Sequence, residues 1–429
     1  MKTLVIYRIE GAIDRASISE HLYSFLKYAD AKSYYLNVAY GVPEYIFDVD
    51  FDLIVFHNTF LALRWADREI LDRYYRFKRL NGYKIALPQD EFLNTESLNK
   101  FFINTGVKTV FTCLPESEFN RVYPKDKSGL DYCFTIFPGY IADSAIVKAS
   151  KYYKLHMLRT IDIGYRAWKA PYWLGRHGQL KWQLTEKFLN TSGKSNLNFD
   201  LSNNEKHVFH GEKWYEFLSN CRVVLGCEGG ASLLDTDGCI KRKTEQYVRK
   251  HPQAAFEEVE NACFPGLDGN FKLLALSPRH FEACITRTCQ ALVEGEYGGI
   301  LKPGVHYIEI KKDWSNIQDV IKQVADKEYC ERIANNAYTD IVESGLYTYK
   351  RLIGQVVEHV KRVSIAPVDS TCATDRNSYK LQLREKYPYI YAGIPYVISH
   401  LRYFIYRLLL KINLYTSYKN IEAVLKQDK

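Results

Sequence analysis

RTIDIGYRAWKAPYWLGRHGQLK, residues 159–181, is the stretch on which the fold turns. Thr160–Gly164 is short and apolar enough for a strand, and a helix is predicted over Gln179–Leu189. Arg166, Lys169, Arg176, His177 and Lys181 crowd the connection, where Gly175 and Gly178 free the backbone. A strand, a glycine-bearing loop and a helix, in that order, open a Rossmann-like unit. Cations beside such a turn and a helix N-terminus suit an anion such as a diphosphate. A solvated basic loop is the alternative.

The residues before this stretch already hold one alternating unit. Strands are predicted at Thr3–Tyr7, Asp52–Phe56, Lys84–Leu87, Thr109–Cys113 and Cys133–Phe137. Helices lie between them, one opened by a capping box of Ser17 with Glu20 and another over Trp65–Leu80. The residues after it continue the second unit. Its strands are predicted at His207–His210, Val223–Leu225, Thr288–Val293 and Tyr307–Ile310, and its helices at Trp214–Ser219, Arg279–Ile285, Ile317–Ala325 and Glu328–Val342. Strands that are apolar throughout imply parallel sheets covered on both faces. The chain therefore reads as α/β, with Rossmann-like domains over 1–155 and 156–362 facing a cleft, where ligands of parallel sheets bind.

Beyond Arg362 the composition changes. VSIAPVDSTCATDRNS is a polar linker, and Tyr379–Lys429 is a basic, aromatic, helical extension. Ile398, Leu401, Ile405, Leu408, Ile412 and Tyr415 form one apolar stripe, with Arg402, Arg407, Lys411 and Lys419 on other faces. No acid occurs from Lys386 to Ile421. Such a helix suits an anionic membrane surface; packing back on the first domain is the equal alternative.

Composition removes several classes. Of 429 residues 47% are hydrophobic and 25% charged, which is globular. The net charge of +8 is spread along the chain, unlike the concentrated basic patch of a nucleic-acid binder. MKTLVIYRIEG reads as a first strand rather than a signal peptide, and no long uncharged apolar run is present to span a bilayer. Ten cysteines include no CxxC pair; Cys113 and Cys284 read as small buried hydrophobes of a reducing compartment. RIEGAIDR after the first strand is not the glycine fingerprint of a dinucleotide oxidoreductase. The 34 tyrosines suit carbohydrate stacking or half-buried packing.

Three more loops follow strands as site loops do. FDLIVFHNT places His57, and KIALPQDEF places Asp90 and Glu91, at strand carboxyl ends, where an acid could deprotonate an acceptor hydroxyl or cap a helix. RVVLGCEGGASLLDTDG offers Gly229, Gly230 and Ser232 for close backbone approach, and Glu228 for sugar hydroxyls. Asp235 and Asp237 read as turn caps more readily than as metal ligands.

LSPRHFEACITRTCQALVEGEY, with the preceding FKLLA, resembles the SPRxFEA segment of bacterial GT-B glycosyltransferases of the broad family 1/4 group, including CgeB-type proteins. IDIGYR with LGRHG, EGGAS and SGLYTY look like the same lineage, over roughly residues 85–350. The resemblance implies an acceptor-binding first domain and a donor-binding second one. It implies that Glu282 opens a helix and bonds the donor's ribose, with Ser277 and Arg279 beside it. It also implies that Arg166 or Arg176, with Lys181, meets the diphosphate. The sequence departs from the family at Leu274, eight residues before Glu282, where a second glutamate belongs; Glu228 is the candidate to replace it. The family's histidine near the reacting carbon has no match, and the Gln89–Glu91 loop stands in its place.

The expected activity is metal-independent sugar transfer from a nucleotide-sugar donor to a bacterial surface-glycan or lipid-linked acceptor. Asp90, Glu91 or His57 would serve catalysis, no cofactor and no nucleic acid would take part, and the location would be cytoplasmic, peripheral on the inner membrane face. A non-catalytic nucleotide-sugar or glycan-binding module and a sugar-nucleotide epimerase are the rivals.

Overall fold

A computed structural model describes residues 1–11, 15–192, 195–364 and 376–411, without the side chains of Ser192, Tyr406, Arg407 and residues 409–411. Six strands form the first sheet: β1 (Lys2–Tyr7), β2 (Lys32–Asn37), β3 (Leu53–His57), β4 (Tyr83–Leu87), β5 (Thr109–Thr112) and β6 (Tyr132–Thr135). They are all parallel, in the order β2-β1-β3-β4-β5-β6. Val5 of β1 lies level with Tyr35 on one side and Val55 on the other. Both faces are covered, so Leu4 to Ile6 and Leu53 to Phe56 are buried at every position, which is why these strands read as unbroken apolar runs.

The second sheet takes β7 (Ile161–Arg166), β8 (Phe199–Ser202), β9 (Cys221–Gly226), β12 (Cys289–Val293) and β13 (Ile308–Ile310), parallel, in the order β13-β12-β9-β7-β8. Between β9 and β12 a short antiparallel pair, β10 (Gly229–Ala231) and β11 (Leu273–Ala275), brackets an insertion. The helices that matter below are α1 (Ala16–Leu22), α2 (Gly175–Ser192), α3 (Glu212–Asn220), α4 (Cys239–Lys250), α5 (Phe256–Cys263), α6 (Pro278–Ile285), α7 (Tyr349–Val363), α8 (Arg376–Lys386) and α9 (Ile394–Lys411). The order of neighbours reverses beside β1 in one sheet and beside β7 in the other. Those two switch points mark where a ligand belongs.

Several expectations need correction. His207–His210 is not a strand, since His207 ends a 3₁₀ turn and the rest is loop; the edge strand is Phe199–Ser202, just upstream. Ser17 does not cap α1, whose N-cap is Arg15 without a side-chain bond, while Glu20 accepts from Ser144 Oγ at 3.1 Å. Over Trp65–Leu80 the chain makes a tight 3₁₀ stretch, Ile70–Arg79, rather than an α-helix. Most of the polar linker, and Ile412, Tyr415 and Lys419 of the extension, lie outside the described residues.

The two halves share buried clusters at their junction, while β7, β9, β12 and β13 also keep a core of their own around Ile163, Val223, Ala291 and Ile308. Ala170, Leu174, Ala231, Phe271 and Leu273 from the second half are buried in the same cluster as Phe92, Leu93 and Phe101 of the first. α7 returns to the first half, where Leu352, Ile353 and Val356 join Leu22 and Phe25. The backbone crosses the junction as well: Asn94 N donates to Asp235 O and Asp235 N to Phe92 O, both at 2.8 Å.

The extension packs on the first half. α8 lies along β2, and Tyr7 Oη and Tyr23 Oη both donate to the half-buried Glu385 carboxylate, at 2.9 and 3.2 Å. Tyr396 and His400 of α9 stack against Tyr40.

Candidate functional site

The first half contributes the loop after β4. Asp90 adopts a left-handed backbone, φ 56°, which an aspartate tolerates better than most residues. That turn sends consecutive acids in opposite directions. Glu91 points inward, fully buried, and accepts from Thr112 Oγ1 and from Tyr123 Oη at 3.3 Å. The Asp90 carboxylate is half-buried and has no hydrogen-bond partner among the described residues. Its burial raises its proton affinity, while Lys181 and Arg64 pull the other way. Lys181 belongs to α2, so an acid of one sheet's unit faces a cation of the other's.

Arg64 holds that loop. Its guanidinium is wholly buried and donates to the carbonyls of Leu61, Gln89, Asp90 and Leu93 at 2.8–3.1 Å. A planar five-donor fork satisfies four carbonyls at once, which no other side chain can do. Gln89 Nε2 adds a bond to Pro138 O at 2.8 Å.

His57 does not join the site. It is fully buried; its Nδ1 accepts from Thr59 N at 3.2 Å, so its Nε2 carries the proton and donates to His21 Nδ1 at 2.8 Å. Burial, then the neighbouring His21, keeps its pKa well below the usual value, so the pair is neutral and structural.

The second half corrects the expected diphosphate cluster. Arg166 is buried and all five of its N–H groups are taken: Nε by His207 O, Nη1 by Tyr165 O and Asp200 O, Nη2 by the two Asp200 carboxylate oxygens. Arg176 forms ion pairs with Glu257, Glu260 and Asp268. The N-terminus of α2 already has an anion, since Asp268 Oδ1 accepts from Arg176 N at 3.1 Å and from Ser232 Oγ at 2.7 Å. Ser232 Oγ in turn accepts from His177 N at 3.1 Å. Gly175, φ 74°, is obligatory there, because a Cβ would strike Asp268 and Ser232.

Glu228 is likewise turned inward. Its Oε1 accepts from Tyr297 N at 2.7 Å and secures the turn after β12, where Tyr297 itself is held at φ 46°. Gly229 and Gly230 serve the β10–β11 pairing: a Cβ on Gly230, φ 103°, would collide with Leu273 O. Asp235 accepts from Ile240 N and Lys241 N, and Asp237 from Cys239 N, so both cap α4.

What stays at the cleft is a smaller set. Among the described residues Lys181 has no hydrogen-bond or ion-pair partner, and with Arg279 it acts electrostatically on Cys227, just after β9. Arg279 Nη1 donates to Arg166 O at 2.6 Å, with the guanidinium over the Trp214 ring. Glu282 is the fifth residue of α6, a turn later than a helix-opening position, and its Oε2 accepts from Trp214 Nε1 at 2.7 Å. Burial raises its proton affinity against the opposing pull of Trp214 and Arg279. Ser277 occupies the N-cap of α6 without a capping bond. Tyr165, Trp214, Arg279 and Gln290 line a shallow concavity beside it. Arg64, Trp214 and Asp268 carried no sequence signal, being single residues whose bonds to Gln89, Glu282 and Arg176 span 25 or more positions.

A solved alpha-glucosyltransferase in complex with UDP-glucose and DNA containing an abasic site superposes with a TM-score of 0.50 at 10% identity, covering 84% of this chain and 98% of that one. T4 phage BGT with UDP-glucose matches at 0.48 and 12%, over 84% and 99%. HepE of Anabaena with UDP-glucose matches at 0.45 and 11%, over 85% and 100%. No family model and no curated protein matches the sequence. The first superposition, together with the two facing parallel sheets and the helical extension, gives the chain the GT-B fold.

Proposed function

We propose that this chain is a glycosyltransferase of the CgeB-like lineage, taking sugar from a nucleotide-sugar donor bound by the second half. The acceptor, a surface glycan or a lipid-linked saccharide, lies against the first half. One observation carries the reading: the half-buried Asp90 carboxylate, in a left-handed turn pinned by Arg64, lies within the field of Lys181, which has no partner among the described residues. Backbone strain and an unpartnered acid beside a free cation are features of sites rather than of cores.

Asp90 takes the proton of the acceptor hydroxyl as that oxygen bonds to the anomeric carbon. The bond from that carbon to the phosphate oxygen breaks, and the nucleotide leaves with the electron pair. Lys181 and Arg279 meet its charge, so positive charge is supplied by side chains. Glu282, oriented by Trp214, accepts from the ribose hydroxyls.

A thermal-shift panel of sugar nucleotides, UDP-glucose first, tests the donor site. Ligand at a hundred times its dissociation constant stabilises by about 2.7 kcal/mol. In Glu282→Ala that ligand-dependent shift should vanish with the unliganded melting temperature little changed; an unaltered shift removes Glu282 from the site. The second reading, a binding module without transfer, is favoured by one observation: Arg166 and Arg176 are fully engaged within the protein. Sugar transfer to an added acceptor excludes it, and stabilisation without transfer selects it.

A further inference from the structure

α9 is built inside out. Tyr396, Ser399, His400 and Tyr403, one stripe at helical spacing, face the protein: Tyr396 and His400 stack on Tyr40, Ser399 is buried, and the Tyr403 ring lies where a Cβ on Gly11 would be. The opposite stripe, Ile394, Val397, Ile398, Leu401, Phe404, Ile405 and Leu408, is aliphatic and aromatic and faces solvent. Ile394 is 75% exposed, Phe404 64% and Leu401 57%. Just before it Tyr389 and Ile390 are exposed too, continuing the apolar surface. A water-facing helix puts its polar side outward; this one has the reverse pattern, and contiguous exposed apolar patches mark a contact surface.

Charge identifies the partner. From Lys386 to Ile421 the sequence has no acid, while Lys386, Arg402, Arg407, Lys411 and Lys419 are basic. Lys386 and Arg402 are exposed beside the apolar stripe. A basic, tyrosine-bearing helix with a long apolar face matches a negatively charged interface with an apolar interior. No helix among the described residues is long and apolar enough to cross a membrane, so the match is to lying on one. The body-facing bonds fix the orientation: Arg384 Nη1 donates to Tyr391 O at 2.9 Å, and Glu385 is clamped by Tyr7 and Tyr23.

We propose that the outer face of α9 docks on an anionic lipid bilayer. Tyr403 sits against Gly11, in the connection that leaves the carboxyl end of β1, so docking sets the first half's side of the cleft toward the lipid. That the acceptor is then presented from the bilayer rests on the glycosyltransferase reading; the docking itself does not.

The full chain is sedimented with vesicles of phosphatidylcholine alone and with vesicles also containing phosphatidylserine. Binding should favour the anionic vesicles by about tenfold or more and weaken with salt. The double variant Leu401→Glu/Phe404→Glu, at exposed positions where glutamate is a good helix former, should lose about tenfold or more of that binding. Its melting temperature and its UDP-glucose shift should match the parent, which shows that the fold and donor site are intact. Equal binding by parent and variant, or equal binding to both vesicle types, overturns the proposal. So does a parent that ignores vesicles but dimerises where the variant is monomeric, since the face then belongs to a second copy. A monomeric parent that ignores both vesicle types overturns it as well. Vesicle binding by a chain that no sugar nucleotide stabilises leaves the docking standing and removes the proposed function.

Discussion

The left-handed backbone at Asp90 decides the role of two neighbouring acids. Without that turn the alternation of a strand end leaves QDE ambiguous, and the sequence offers no sign of it, since aspartate is only one of several residues that enter the region. Glu91 and His57 therefore read as site residues and prove to be buried partners of Thr112 and His21. Asp90→Asn keeps the left-handed preference and the shape while removing the base. We expect transfer to fall by about a hundredfold or more, the usual scale for a general base. Burial raises the proton affinity of Asp90 in the folded state, so its contribution to stability is present below the unfolded pKa and is lost as pH rises through the folded one. At neutral pH the charged side chain therefore destabilises, and Asp90→Asn should melt higher at pH 7. Full transfer activity in Asp90→Asn, or a lower melting temperature at pH 7, contradicts this account.

Elements were legible where burial is two-sided. β1 and β3 centre on unbroken apolar runs, β4 and β9 on the apolar IAL and VVL that follow one basic residue, and each was readable to within a residue or two. β2, KSYYLN, was missed because its first residues are exposed at the sheet edge, and β8, FDLS, because four half-buried residues carry too little pattern. α2 was legible as a helix, but its N-terminus was not legible as occupied. Asp268, remote in sequence, fills the position that an outside phosphate would take. Asp268→Ala should remove that cap and the contacts to Ser232 and Arg176. A lost N-cap costs about 1 kcal/mol, or a drop of about 1 °C in melting temperature for a chain of this length. If Asp268→Ala instead tightened UDP-glucose binding, the helix end would be a donor site competing with its own acid.

On the scale of the whole chain, the two sheets share buried clusters at their junction, and the second sheet has a further core of its own. Chains of this length ordinarily unfold domain by domain. Here Phe271 and Leu273 are buried among first-half residues, α7 crosses back, and the 92–96 and 235–236 backbones bond to each other. We expect a single calorimetric transition whose calorimetric and van't Hoff enthalpies agree. Two resolved transitions would show that the junction is a contact between independent bodies.

The same junction restricts how such a protein can be recombined. The β10–β11 pair and the insertion it brackets are encoded in the second half, yet Ala231, Phe271 and Leu273 complete the packing of the first. A hybrid made by grafting a foreign second half at the midpoint would leave Phe92 and Leu93 bare and gain an unmatched apolar surface in exchange. Modularity in this molecule therefore follows the packing, and a swap that holds together has to carry residues 231–273 with the half they cover.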